Sequence, residues 1–142
     1  MLEYTFKTEI KAPRERVWEM YADFSQRRLW ETDLEYIHLD GELTTGAVGV
    51  MKLAGQPEMP YQITLAVLFS AYWDRTEIPG TNTAICFGHD FIAAGEDKTI
   101  LKITASLEKT DGEIREDDIL LLKEIFSDTP QAVLAIKKMV EV

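Results

Sequence analysis

Only two histidines occur in the 142 residues, and one of them, His89, falls where its chemistry could be used. Strand alternation puts Thr83, Ile85, Phe87, His89 and Phe91 on one face. If that face looks inward, desolvation favours the neutral imidazole, which suits a general base or a hydrogen-bond anchor. The same ring could equally be bonded to a neighbouring strand or helix and serve packing alone. No nucleophile is nominated to work with it. Cys86 points to the opposite face by the same alternation, and no serine is placed against the ring. Asp90 also faces away. Arg75 and Glu77 share a face with Trp73, as a buried ion pair flooring a pocket or, in keeping with the rarity of buried charge, as a solvated pair on the outer sheet face.

Other chemistries find no support. Asp117-Asp118 and Glu96-Asp97 are adjacent carboxylates at a helix start and in a turn, not an acid–base pair. One cysteine and two histidines are too few for the usual zinc or iron–sulfur ligand sets, and no metal is expected. Gly46-Ala47-Val48-Gly49 lies within a strand run without a following helix or Lys-Ser/Thr, so it is no phosphate loop. His38 reads as a surface residue, and no cofactor is called for.

An apolar wall is the other candidate feature. Trp30, Tyr61, Trp73, Phe87 and Phe91 could line a site for a hydrophobic ligand, with Met51 and Met59 as adaptable liners and Phe126 contributed by the C-terminal helix. Aromatic residues at strand spacing also build ordinary cores, and some of these must do so.

The elements that would position these residues follow from periodicity. Leu2, Tyr4, Phe6, Thr8 and Ile10 share one face of a half-buried strand, with Glu3, Lys7, Glu9 and Lys11 on the other. Pro13 is placed in the first turn of a helix over 14–24 that carries Val17, Trp18, Tyr21 and Phe24, and Ser25 caps a second short helix through Trp30. Period two then returns over 34–43, 47–53, 61–69, 73–78, 83–91 and 99–107, separated by turns such as Asp40-Gly41, Pro79-Gly80 and Gly95-Glu96-Asp97. In the 61–69 strand, Tyr61, Ile63, Leu65, Val67 and Phe69 are expected on one face. From Glu113 the spacing turns helical, with a stripe through Ile114, Leu121, Ile125, Ala132, Ile136 and Val140. Pro130 should kink or split that helix, and Asp128-Thr129 could cap its second half. The order, strand, two short helices, six strands and a long C-terminal helix, predicts a single α+β domain over 1–142, its antiparallel sheet covered on one face by helices.

Several stretches carry a resemblance at this point. Ile10-Lys11-Ala12-Pro13-Arg14-Glu15-Arg16-Val17-Trp18 resembles the "I-x-A-P-x-E-x-V-W" entry to the first helix of the START-like helix-grip superfamily (SRPBCC), within it the polyketide cyclase/dehydrase-like proteins. Ala22-Asp23-Phe24 followed by Trp30 is similar to that family's "A-D-F…W" elbow. Thr76-Glu77-Ile78-Pro79-Gly80 with Phe87-Gly88-His89-Asp90-Phe91 is similar to its "T-E-I-P-G … F-x-H-x-F" strand pair. Pro130 with Leu134 resembles its C-terminal "P-x-x-L-x-x-L-K". The resemblance implies a curved seven-stranded antiparallel sheet around a long C-terminal helix, enclosing a largely apolar pocket. Members hold lipids, sterols, polyketides or hydrophobic hormones there; some catalyse and many only bind. It also implies that Trp30 projects over the pocket mouth.

Composition limits the partners. Fifteen Lys and Arg against 25 Asp and Glu give a formal net charge of −10, a field that repels phosphate backbones and anionic lipid surfaces, so nucleic acid is not expected. The densest basic runs are Arg27-Arg28 and Lys137-Lys138. The N-terminus lacks the apolar core of a signal peptide, and no apolar stretch approaches the ~20 residues of a membrane span, so a cytoplasmic protein without stable membrane insertion is expected. The leading expectation is a monomer or homodimer that binds a small hydrophobic ligand of lipid, polyketide or isoprenoid type, with His89 as polar anchor. The enzymatic alternative is a cyclase- or dehydratase-like activity with His89 as acid–base group. A third is an interaction module for an ATPase chaperone or carrier.

Overall fold

Nine residues of strict alternation begin the molecule: in β1 (Leu2–Ile10) every second side chain turns inward, ending in the fully buried Ile10. The computed structural model describes residues 1–141. Helix α1 (Arg14–Ala22) follows, buries Val17, Trp18, Met20 and Tyr21, and starts at Arg14 as expected, but it ends two residues before Phe24 and Pro13 is its N-cap, not part of its first turn. The next cap also differs. Asp23, not Ser25, receives the Ser25 backbone N–H (3.1 Å) and closes a 3₁₀ turn over Phe24–Gln26, from which α2 (Arg27–Trp30) departs. A carboxylate at that position offers an acceptor two residues on, the usual Asx geometry.

Strands β2 (Leu34–Leu39), β3 (Val48–Leu53), β4 (Met59–Val67), β5 (Ala71–Glu77), β6 (Thr83–Ala93) and β7 (Thr99–Lys109) then fold back and forth. With β1 they form a seven-stranded sheet in the order β1-β7-β6-β5-β4-β3-β2, antiparallel throughout. Helices α3 (Glu116–Phe126) and α4 (Thr129–Val140) complete the chain. Pro130 sits in the first turn of α4, where it has no N–H to return to the carbonyl four residues back, and the C-terminal helix breaks there as expected. Asp128 occupies the N-cap but makes no side-chain cap bond. Ser127 Oγ instead donates to the Glu124 carbonyl at 2.6 Å. No helix is long and apolar enough to cross a membrane among the described residues.

All helices lie on one sheet face. There Ile10, Val17, Trp18, Tyr21, Tyr61, Ile63, Tyr72, Phe91, Leu101 and Ile103 pack with Val133, Ile136 and Val140 of α4. A second cluster, Ile85, Ala105 and Leu107 with Leu122 of α3, fills the far end, and Phe87 touches both. At the head of α3, Asp118 accepts from the Arg115 backbone N–H (2.8 Å) and from Lys109 Nζ (3.2 Å).

One strand departs from its expected face. A bulge between Ile63 and Leu65 inserts Thr64 without a partner on β5, and parity reverses beyond it. Tyr61 and Ile63 stay inside, whereas Leu65 and Val67 turn outward and are 41% and 48% exposed. Ala66 takes the inner position, opposite Tyr72. Phe69 returns to the core through a left-handed backbone (φ 64°) and meets the Trp18 ring edge-on at 6.3 Å.

Candidate functional site

His89 projects from β6 into the helix-covered face and is 7% exposed. Directly across the ladder stands Tyr72 of β5. The imidazole Nδ1 lies 3.0 Å from the Tyr72 carbonyl oxygen, and the two rings stack with centroids 4.8 Å apart. A carbonyl only accepts, so Nδ1 carries the proton in the neutral ring and Nε2 is left as a bare acceptor. Tyr21 of α1 covers the other side at 4.6 Å. Burial, and then the nearby Arg27 cation, push the imidazole down to about 3. The ring is therefore neutral near pH 7. It can accept a hydrogen bond but does not serve as a proton donor.

The cation responsible was not expected inside. Arg27 of α2, half of the Arg27-Arg28 pair, is 6% exposed. Its Nε and Nη2 reach Glu31 at 3.0 and 2.9 Å, one helical turn on. Its guanidinium carbon sits 5.1 Å from the Trp30 ring, 5.5 Å from Phe24 and 5.8 Å from Tyr21. Burial works against the charge, but Glu31 and then Tyr72 hold it in place. Phe24, Arg27 and Trp30 are spaced by three, so helical geometry alone puts them on one face, and this was the available signal.

Around this cation the inner face of β5 supplies the rest. Tyr72 is 1% exposed, and burial raises its hydroxyl well above the usual phenol range. Asp74, two residues along and partly buried, is pushed up to about 7, chiefly by burial, against the pull of Arg27 and of the Tyr72 hydroxyl. Two polar atoms in this interior make no hydrogen bond of good geometry among the described residues, Arg27 Nη1 and the Tyr72 hydroxyl, although the hydroxyl lies near enough to Arg27 and Asp74 to act on both. Native interiors leave few such groups, and each needs an explanation.

The other expected liners are distributed differently. Tyr61 is buried, its hydroxyl donating to the His38 carbonyl at 3.0 Å. Trp30 does not hang over a mouth: its indole N–H donates to the Met20 carbonyl (3.1 Å) and its ring packs on Tyr21. Phe91 is 1% exposed between Trp18 and Tyr21. Met51 and Phe87 lie partly buried against the main cluster. Two residues lie away from it. Trp73 is on the outer face, its ring over Gly88 and its N–H on Asp90 (3.2 Å), because Tyr72 takes the inner position in the register with His89. Phe126 stacks on Tyr4 at 5.8 Å in the second cluster. Arg75 and Glu77 form a 2.9 Å ion pair on the outer face, the solvated of the two arrangements. His38 is exposed and lies 3.1 Å from Asp40.

Two open grooves flank the sheet. One of about 430 Å³ is lined by Ala22, Phe24, Ile37, Leu39 and Leu43 with His38, Gly41 and Glu42. It lies where the helix elbow meets β2, and Phe24, which lines it, also lies against the Arg27 guanidinium. The other, about 530 Å³, runs over the outer face past Val48, Val50, Pro60, Gln62 and Arg75. Neither touches His89. No group of three or more His, Cys, Asp or Glu side chains is placed to hold a metal ion among the described residues.

No protein-family model matches the sequence, and no curated protein matches it. Solved structures do match in shape. Truncated norcoclaurine synthase from Thalictrum flavum superposes with a TM-score of 0.73 at 12% identity, over 98% of this chain and 92% of that one. The same synthase has been solved with dopamine and hydroxybenzaldehyde. Ara h 8.0201 gives 0.71 at 11% identity over 98% of both chains. The Aha1 dimer from Colwellia psychrerythraea gives 0.72 at 14% identity, over 100% of this chain and 98% of that one. These likenesses show the fold, a helix-grip arrangement of a seven-stranded antiparallel sheet with its helices on one face, as the sequence motifs implied.

Proposed function

We propose that the protein binds a small, largely apolar molecule between the inner sheet face and the helices, its polar end held by Arg27 and Tyr72. The observation that carries this is the pair of buried, unpartnered polar atoms, Arg27 Nη1 and the Tyr72 hydroxyl, set among aromatic rings. Leaving such a group unsatisfied costs about 1–3 kcal/mol, more for a charged one, and a ligand atom that bonds to both recovers it. Neutral His89 lines the same interior through its bare Nε2. Entry is by the groove at Ala22, Phe24, Ile37, Leu39 and Leu43, with the Phe24 ring moving aside from Arg27. Lipid, polyketide and isoprenoid skeletons fit such a lining. That another helix-grip protein takes up aromatic molecules is consistent with this use.

One observation favours a second, enzymatic reading. Asp74 is held near neutrality beside Tyr72, so acid–base chemistry on a bound molecule would run through Asp74 and not through His89. The setting proposed is cytoplasmic, with the protein a monomer or homodimer.

Native mass spectrometry of freshly purified protein tests the binding reading. A retained small molecule in the wild type, lost or depleted in Arg27→Met, is the expected result. Wild-type protein that carries nothing, and whose Trp fluorescence is unmoved by apolar probes, would overturn it.

A further inference from the structure

We infer that the polar end of the ligand is an uncharged carbonyl oxygen, seated between Arg27 Nη1 and the Tyr72 hydroxyl, and not a carboxylate or phosphate. This rests on the binding reading above and adds the chemical class of the group recognised.

The argument is one of charge and lone pairs. A buried arginine usually signals an anionic ligand, but here the charge is already answered. Glu31 Oε2 takes Nε and one N–H of Nη2, and Nη1 is the nitrogen of Arg27 left without a partner. The side-on Nε/Nη2 fork of Arg27 is therefore already engaged by a carboxylate, and its charge is matched by Glu31. Asp74 stands on the same inner face and, when ionised, adds a second negative charge against the single cation. His89 is neutral and the surrounding tyrosines hold their protons, so nothing else compensates a further anion. An anion entering this interior would be stripped of water without a free counter-charge, the costly case for buried ions. A carbonyl oxygen asks for much less. It has two lone pairs, and the site has two unpartnered groups able to donate, the Nη1 amino group and a phenolic O–H, on side chains 6% and 1% exposed.

Three probes of one size separate the possibilities: acetonaphthone, ethylnaphthalene and naphthoate, titrated into the full chain at pH 7.5 and followed by calorimetry. Acetonaphthone is expected to bind about tenfold or more tighter than ethylnaphthalene, two hydrogen bonds being worth roughly that ratio. Naphthoate should be the weakest. Tyr72→Phe removes one hydroxyl at constant shape and should weaken acetonaphthone about threefold to tenfold while leaving ethylnaphthalene unchanged. Arg27→Met should do the same more strongly. If naphthoate binds tightest, or if ketone and hydrocarbon bind equally, the carbonyl inference is overturned while the binding reading stands. If none of the three binds at millimolar concentration, both are overturned.

Discussion

His89 Nδ1 donates to the carbonyl of Tyr72, its partner across the β5–β6 ladder, at 3.0 Å, while the two rings stack at 4.8 Å. The bond fixes the tautomer of the histidine on the inner face, while burial and the nearby Arg27 cation keep its ring neutral. Nitrogen NMR should show a neutral ring protonated at Nδ1, with no titration of His89 between pH 8 and 5. The linkage to stability has a definite sign. The native ring sits at about 3 against an ordinary value of 6.5, so between those values the unfolded chain holds the extra proton. Stability contributed by the neutral ring is present above pH 6.5 and is lost as pH falls toward 3. His89→Gln should flatten that acid loss, read as urea midpoints at pH 7 and 4.5. An unchanged slope would show that His89 is not the group responsible.

Asp74 works in the opposite direction. Its native value of about 7 lies above the ordinary 3.8, so the native state holds the extra proton between them. This burden is absent below pH 4 and grows as pH rises to 7. A shift of that size corresponds to at most ~4 kcal/mol, and partial exposure brings the expected effect to about 1–2 kcal/mol. Asp74→Asn should therefore be more stable than wild type at pH 8 and nearly equal to it at pH 4. Thermal melts at the two pH values check this, and equal differences at both would refute it.

Two strand glycines make a pair of contrasting predictions. A Cβ on Gly49 would stand 2.1 Å from the His38 backbone oxygen on β2, and on Gly88 it would stand 2.3–2.5 Å from the Trp73 ring. A backbone atom in a ladder cannot move without breaking the pairing, whereas a side chain on the outer face can swing away. Gly49→Ala should cost more than about 3 kcal/mol, and Gly88→Ala about 1–2 kcal/mol, in urea titration. Trp73→Ala should cancel most of the Gly88→Ala cost and none of the Gly49→Ala cost.

The elements were legible where one physical rule acted alone. Strict alternation in β1 and the missing N–H of Pro130 each had one reading, and both features occur where expected. Parity in β4 was not legible, because the unpaired Thr64 changes the face of Leu65 and Val67 without changing the apolar pattern. Facing in β5 was ambiguous for a different reason. Tyr72, Asp74 and Thr76 look no more apolar than Trp73, Arg75 and Glu77, so only the pairing of Tyr72 with His89 decides which set is inside. The same decision brings in Asp74 and removes Trp73 from the site. Arg27 was hidden by its charge, since arginines are mostly exposed. Its three-residue spacing from Phe24 and Trp30 was the signal that could have placed it, outweighed by the charge.

That buried arginine leads to the last prediction. Arg27 holds Glu31 with two nitrogens and lies against three aromatic rings, so truncation removes both charge and packing. Arg27→Ala should destabilise by about 2–4 kcal/mol: it opens a void beside Trp30 and leaves Glu31 without its partner. Glu31 keeps 25% side-chain exposure and can rehydrate, which holds the cost below that of a fully enclosed pair. Arg27→Met also leaves Glu31 unpaired, but it keeps the stem's volume and discards the unpartnered Nη1, so it should cost less, about 1–2 kcal/mol. The order of the two variants separates the roles. If methionine were as damaging as alanine, the guanidinium would be needed for folding itself. A stable methionine variant that no longer retains ligand would place Arg27's contribution in binding, at a site kept incomplete until a ligand oxygen arrives.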